Sequence, residues 1–228
     1  MTIRENKFPV KNVIQPQHIL VSVFDKTDLA ILVNGILNAN PAAQFYSTGG
    51  TGEKVVNVLG PLAEKHYTSV EAFTGAPEMD GGLVKTLHPK VHAGLLAERN
   101  NPKHEQYLAA MGGVYFDVMV GNLYPFTDVV AKPDCTAEQA RINIDIGGPA
   151  MIMAAAKNWH SVAVISNPNQ YHLVSAELST RGGLPLSFRF LLAQEAMRTV
   201  GSYRSAIGQH FGGLNFHRDV LPGLQVEE

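Results

Sequence analysis

The sequence predicts an α/β domain built on a mostly parallel sheet with helices on both faces. Four short runs are almost continuously apolar, the pattern of strands buried on both sides. Apolar residues at helical spacing fill the stretches between them. Polar, glycine-containing clusters follow the strands directly, at the strand ends where ligands gather in such sheets.

In chain order, residues 1–17 carry Arg4, Lys7 and Lys11 and lack the apolar core of a signal peptide. They read as an N-terminal extension or strap, with the domain proper at 18–228. Ile19-Leu20-Val21-Ser22-Val23-Phe24 is the first strand. Asp25-Lys26-Thr27-Asp28 then offers cap candidates for a helix carrying Leu29, Leu32, Val33, Ile36 and Leu37, which Pro41 stops. Gln44-Phe45-Tyr46-Ser47 is the second strand, and a helix bearing Val55, Val56, Val58 and Leu59 follows Thr48-Gly49-Gly50-Thr51-Gly52. Tyr67 to Leu96 is the least regular segment and reads as a long functional loop. Phe116 to Gly121 and Ser161 to Ser166 are the third and fourth strands. Helical patterns cover Lys103–Met111, Thr136–Arg141, Gly148–Asn158, Asn169–Thr180 and Leu186 to about Phe211.

Composition narrows the class. The 228 residues are 45% hydrophobic and only 17% charged, with a net charge of −2. Disorder, a coiled coil and a polyanion-binding surface are all disfavoured, so no nucleic-acid partner is expected. Cys135 is the single cysteine, which excludes an internal disulfide and a cysteine-based zinc site and suits the cytoplasm. The longest apolar stretch, Pro149 to Ala156, is far short of the roughly 20 residues of a membrane span, so a soluble chain is expected.

The clusters with chemical potential lie at the predicted strand ends. Glycines and hydroxyls in Ser47-Thr48-Gly49-Gly50-Thr51 at a helix start suit either a phosphate monoester or an ordinary tight turn. Gly81-Gly82-Leu83-Val84-Lys85-Thr86-Leu87-His88-Pro89-Lys90-Val91-His92 supplies cations, and Pro89 shapes a helix start after His88. His88 and His92 are four apart, but no acidic third ligand lies near and no metal is expected. Asn122-Leu123-Tyr124 ends a strand with an amide and a phenol. Asp145 and Lys157 flank one helix, where capping and the helix dipole also account for both. Twelve residues of straight helix separate them by about 18 Å, so either the helix is shorter or bent, or the two act at different edges of the substrate. Together these groups suggest a small phosphorylated metabolite handled without a cofactor.

The motifs in their order resemble the IMP cyclohydrolase domain of the bifunctional purine-biosynthesis enzyme that also carries formyltransferase activity. The matching stretches are Ser22-Val23-Phe24-Asp25-Lys26-Thr27, Ser47-Thr48-Gly49-Gly50-Thr51, Phe73 to Met79, Val84 to His92, Asn122 to Phe126, Ile144 to Gly148 and Ala154 to Asn158. The resemblance implies a methylglyoxal-synthase-like three-layer sandwich and closure of the purine ring of 5-formamidoimidazole-4-carboxamide ribonucleotide to IMP, with loss of water and no cofactor. It also implies a homodimer and, with the formyltransferase domain absent, a separate formyltransferase as a possible partner.

By the same resemblance Lys157 is the proton donor or acceptor, and Lys85, Tyr124 and Asp145 line the reaction centre. The phosphate lies against Thr48, Gly49, Gly50, Thr51 and Lys26. Ser22, Asp25, Thr86, His88, Gly121, Asn122, Ile146 and Gly147 complete the substrate-binding set. The chain departs from the family at Leu83, where arginine is usual, and at Phe24, where serine is common. A nucleotide-binding or regulatory domain without turnover, and methylglyoxal synthase, are the alternatives at this stage.

Overall fold

The computed structural model describes residues 5–77, 79 and 84–227. Its centre is a five-stranded sheet of β2 (His18–Val23), β3 (Gln44–Ser47), β4 (Tyr67–Ser69), β5 (Val118–Asn122) and β6 (Ala163–Ile165), ordered β4-β3-β2-β5-β6. Every pairing in it is parallel. A second, two-stranded sheet pairs β1 (Val13–Ile14) antiparallel with β7 (Leu184–Pro185). The α/β reading with a mostly parallel sheet therefore holds.

The strands alternate their burial between two cores. Ile19, Val21 and Val23 of β2 face one layer with Phe45, Val118, Val120, Ala163 and Ile165. There they meet α1 (Leu29–Ala39), α2 (Gly49–Leu59) and α10 (Tyr171–Arg181) through Leu32, Val55 and Val174. Leu20 points the other way, with Tyr46, Met119 and Val164, toward α5 (Pro89–Leu96), α9 (Gly147–Lys157) and α11 (Leu186–Gly212). Both faces are covered, which is why these strands read as unbroken apolar runs. The shorter helices α3 (Ala63–His66), α4 (Val70–Thr74), α6 (Pro102–Ala110), α7 (Phe126–Val130) and α8 (Ala137–Ile142) fill the connections.

One expectation changes. The segment from Tyr67 to Leu96 is not one long loop: it contains β4, α4 and α5, with Val70, Phe73, Val91 and Leu95 in the core. Its strand is an edge strand with every residue half-buried, so neither alternation nor an apolar run marks it. The N-terminal extension is held by more than its short strand. The guanidinium of Arg189 on α11 is fully buried and donates to the carbonyls of Lys11, Asn12, Trp159, His160 and Leu184.

The chain order sets the place of the ligand site. From β2 the sheet grows through β3 to β4 on one side and through β5 to β6 on the other. The loops leaving β2 and β5 therefore diverge, and a crevice opens beyond their carboxyl ends. Among the described residues no helix is long and apolar enough to cross a membrane.

Candidate active site

A cavity of about 440 Å3 lies at the carboxyl ends of β2, β3 and β5. Ser22 near the end of β2 and Lys26 after it reach the cavity, with Thr48, Gly49, Gly50 and Thr51 after β3, Asn122 at the end of β5 and Tyr124 after it. Lys85 and Thr86 come from the turn before α5, and Asp145, Ile146 and Gly147 from the start of α9. Four predicted residues lie outside this lining. Asp25 faces an adjoining groove, and His88, Gly121 and Lys157 line neither cavity nor groove.

Two helix N-termini open onto the cavity, and neither is capped by the side chain of its own N-cap residue. At α2, Gly49 has φ +47°, a conformation that side-chain-bearing residues rarely adopt. The Lys85 ammonium is only 3.4 Å from where a Gly49 Cβ would stand, so a cation sits over the positive end of the α2 dipole. Lys26, half-buried, is tied to the Phe24 carbonyl at 3.1 Å on the same wall. Two cations beside exposed helix amides make this end of the cavity selective for an anion.

The opposite end centres on Asp145. The Gly148 N–H donates to its Oδ1 at 2.9 Å, and its own backbone N–H donates to the Tyr203 hydroxyl at 2.7 Å. Burial pushes the Asp145 carboxyl above its ordinary range, and the Gly148 hydrogen bond opposes that rise only in part. A carboxyl raised in this way takes and returns a proton more readily near neutral pH than an exposed one. At the mouth, Phe24 and Tyr124 are both exposed and pack in a tilted contact with centroids 5.0 Å apart at 51°. The exposed side chains of Ile142 and Ile146 extend this apolar rim.

Several predicted residues also hold the walls of the site together. The Thr51 hydroxyl, expected as a phosphate donor, donates to the Val23 carbonyl at 2.9 Å and accepts from the Val23 N–H at 3.3 Å, stitching α2 to β2. Ser47 is completely buried beneath the loop. The Asn122 amide is spent on the β2 loop: its oxygen accepts from Phe24 and Asp25 N–H and its nitrogen donates to the Asp25 carbonyl. Asp25 closes a local turn by accepting from the Thr27 N–H at 2.9 Å, and hydrogen bonding from Thr27 holds its carboxyl below the usual range. His88 is the N-cap of α5, accepting from the Lys90 N–H at 3.1 Å. Gly121 is buried on β5 against Ile152, which gives its small size a packing reason.

The structure sets Asp145 and Lys157 at opposite ends of α9. α9 runs unbroken from Gly147 to Lys157, eleven residues and about 16 Å of helix. Lys157 is exposed at its far end, outside the cavity, and no proton passes directly between the two side chains within one chain. The departure at Leu83 lies outside the described residues. Phe24, the other departure, lines the cavity. Sequence reasoning missed Asn143, Ile144, Gly148 and Met151 in the lining, all neighbours of Asp145 or of its helix. It also missed Tyr203, which no local pattern connects to Asp145.

Comparison with known proteins points the same way. The family of the AICARFT/IMPCHase bienzyme matches residues 155–225. The chain is 44% identical over 191 residues to the bifunctional purine biosynthesis protein PurH of Synechococcus sp. (strain CC9605), covering 83% of this chain and 36% of that protein. With PurH of Natranaerobius thermophilus it shares 39% identity over 210 residues, 92% of this chain and 39% of the relative. The chain thus spans less than half the length of these curated relatives. The crystal structure of ForH superposes with a TM-score of 0.71 at 29% identity, covering 86% of this chain and 100% of that one.

Proposed function

Because the chain belongs to the PurH family and corresponds to its IMP cyclohydrolase domain, we propose that it closes the purine ring of 5-formamidoimidazole-4-carboxamide ribonucleotide to give IMP and water. The observation that carries this is the union, in one cavity, of an anion-selective end and a carboxyl suited to proton exchange.

The substrate phosphate rests on the α2 N-terminus between Lys26 and Lys85, which fixes the nucleotide and directs the base toward Asp145. The two reacting arms are then held together within one molecule, where effective molarities reach about 10⁵–10⁸ M, so alignment supplies most of the acceleration. The carboxamide nitrogen bonds to the formyl carbon as the formyl C=O becomes a hydroxyl, giving a tetrahedral carbon. Loss of that hydroxyl as water leaves the ring C=N bond. The two hydrogens of the water come from the carboxamide nitrogen and the formamido nitrogen.

Asp145 accepts the carboxamide proton and delivers it to the tetrahedral oxygen as its hydroxyl proton, then takes the formamido proton and passes it to that hydroxyl as it leaves as water. The Tyr124 phenol stabilises the oxygen while it carries negative charge. Lys85 serves the phosphate end in this reading, and Lys157 carries no step. The half-exposed rings of Phe24 and Tyr124 flank the base at the mouth.

The test mixes purified protein with the formamido nucleotide and follows the ultraviolet change of hypoxanthine formation. Wild type is expected to turn over, and Asp145→Asn to lose at least about 10²-fold in kcat, the lower range for a general acid–base group. Tight IMP binding without turnover would favour a nucleotide-sensing domain instead.

A further inference from the structure

We propose that Tyr203 is a positioning residue for the ring closure, its hydroxyl fixing the backbone of Asp145 so that the carboxyl stays aimed into the cavity. The inference rests on the reading of that cavity as the cyclohydrolase site. Asp145 stands in the short irregular link between α8 and α9, which has no ladder or helix bond to hold it. Two contacts fix it instead. The Gly148 N–H holds the carboxyl, and Tyr203, 58 residues away on α11, accepts the Asp145 backbone N–H at 2.7 Å.

Tyr203 is well placed to act as a fixed post. Val200 is the last buried residue of α11, so the helix beyond it is not anchored by the main core. The Tyr203 ring is instead set edge-on against Phe126, with centroids 6.3 Å apart at 75°, and His210 packs on the same ring at 5.7 Å and 82°. Phe126 is 1% exposed and opens α7, directly after the loop that carries Tyr124. One aromatic cluster therefore ties the ends of two site loops to α11. Tyr203 does not line the cavity, so its hydroxyl acts on the site through the Asp145 backbone.

The consequence is kinetic. Reacting groups held in near-attack geometry lose about 10²-fold for a displacement of about 1 Å, whereas a nucleotide bound mainly through its phosphate scarcely senses such a shift. Removal of the hydroxyl is therefore expected to lower kcat and leave binding intact.

Tyr203→Phe keeps the ring against Phe126 and removes only the acceptor. Turnover of the formamido nucleotide is measured for wild type, Tyr203→Phe, Asp145→Asn and the double variant, with kcat counted per IMP-binding site by calorimetric titration so that any misfolded fraction drops out. The expected result is a fall in kcat of about 10–100-fold for Tyr203→Phe, with KM and the IMP Kd within about twofold of wild type. In the Asp145→Asn background the same substitution is expected to cost less than about twofold, because both act through one group. A Tyr203→Phe enzyme with wild-type kcat overturns the positioning role, as does a loss that is equal in both backgrounds. Wild-type protein that binds IMP and never closes the ring overturns the reading of the site, and the positioning role with it.

Discussion

Arg189→Lys tests whether a buried cation holds the N-terminal segment to the domain. The guanidinium of Arg189 is fully buried, and its five donor bonds run to backbone carbonyls: Trp159 at 3.2 Å, Asn12 at 3.0 Å, Leu184 at 2.6 Å, Lys11 at 2.8 Å and His160 at 2.9 Å. Burial draws its pKa down to about 10, so it remains charged at neutral pH. Lysine has three donors and cannot match five acceptors in a plane. At least two buried carbonyls then lose their partner, at about 1–3 kcal/mol each, for a total of about 2–6 kcal/mol. Against a typical stability of about 5–15 kcal/mol this is a large fraction. With a urea m-value of about 3 kcal/mol/M the unfolding midpoint falls by about 0.7–2 M. Equilibrium unfolding by circular dichroism measures it, and protease cleavage near Lys11 reports whether the strap loosens. A midpoint within about 0.2 M of wild type, with no new cleavage, refutes the role given to Arg189.

Other perturbations address the site. The Asp145 carboxyl is raised by burial, so its contribution to stability falls as pH rises from the ordinary carboxylate value, about 4, through its higher folded value. Asp145→Asn is accordingly expected to melt above wild type at pH 7, and the gain should vanish in melting curves taken below pH ~4; a gain that grows toward acid contradicts the assignment. Gly49→Ala meets a positive φ and the Lys85 ammonium, a strain of about 1–2 kcal/mol. Isothermal titration should show a loss of about tenfold in IMP affinity. Asn122→Ala strips the Phe24–Asp25 turn of three hydrogen bonds, and steady-state kinetics should show KM rising more than kcat falls.

How far the sequence carries can be seen at particular residues. The strands β2, β3, β5 and β6 were legible because each is buried on both faces, and burial writes itself as a continuous apolar run. The crevice follows, since the loops after β2 and β5 part at the switch of strand order and the polar residues after β2, β3 and β5 line the gap. Edge strand β4 escaped because half-buried Tyr67, Thr68 and Ser69 carry no such signature. Arg189 was hidden for the opposite reason: a charged residue on a helix normally faces water, and only the surrounding carbonyls explain its burial. Roles that depend on contact between distant segments were equally invisible. Tyr203 is one example, and the division of labour between Asn122, which shapes a loop, and Lys85, which faces the cavity, is another. Helix geometry alone sets Asp145 and Lys157 apart, and α9 runs unbroken between them.

The central claim is that one cavity holds the nucleotide phosphate at the α2 N-terminus and its base beside Asp145. A crystal structure of the complex with IMP tests this most directly. Phosphate oxygens within hydrogen-bond reach of the Gly49–Thr51 amides, Lys26 and Lys85, with the purine C2 edge facing the Asp145 carboxyl, are the predicted result. A phosphate bound elsewhere, or a purine turned away from Asp145, contradicts the account.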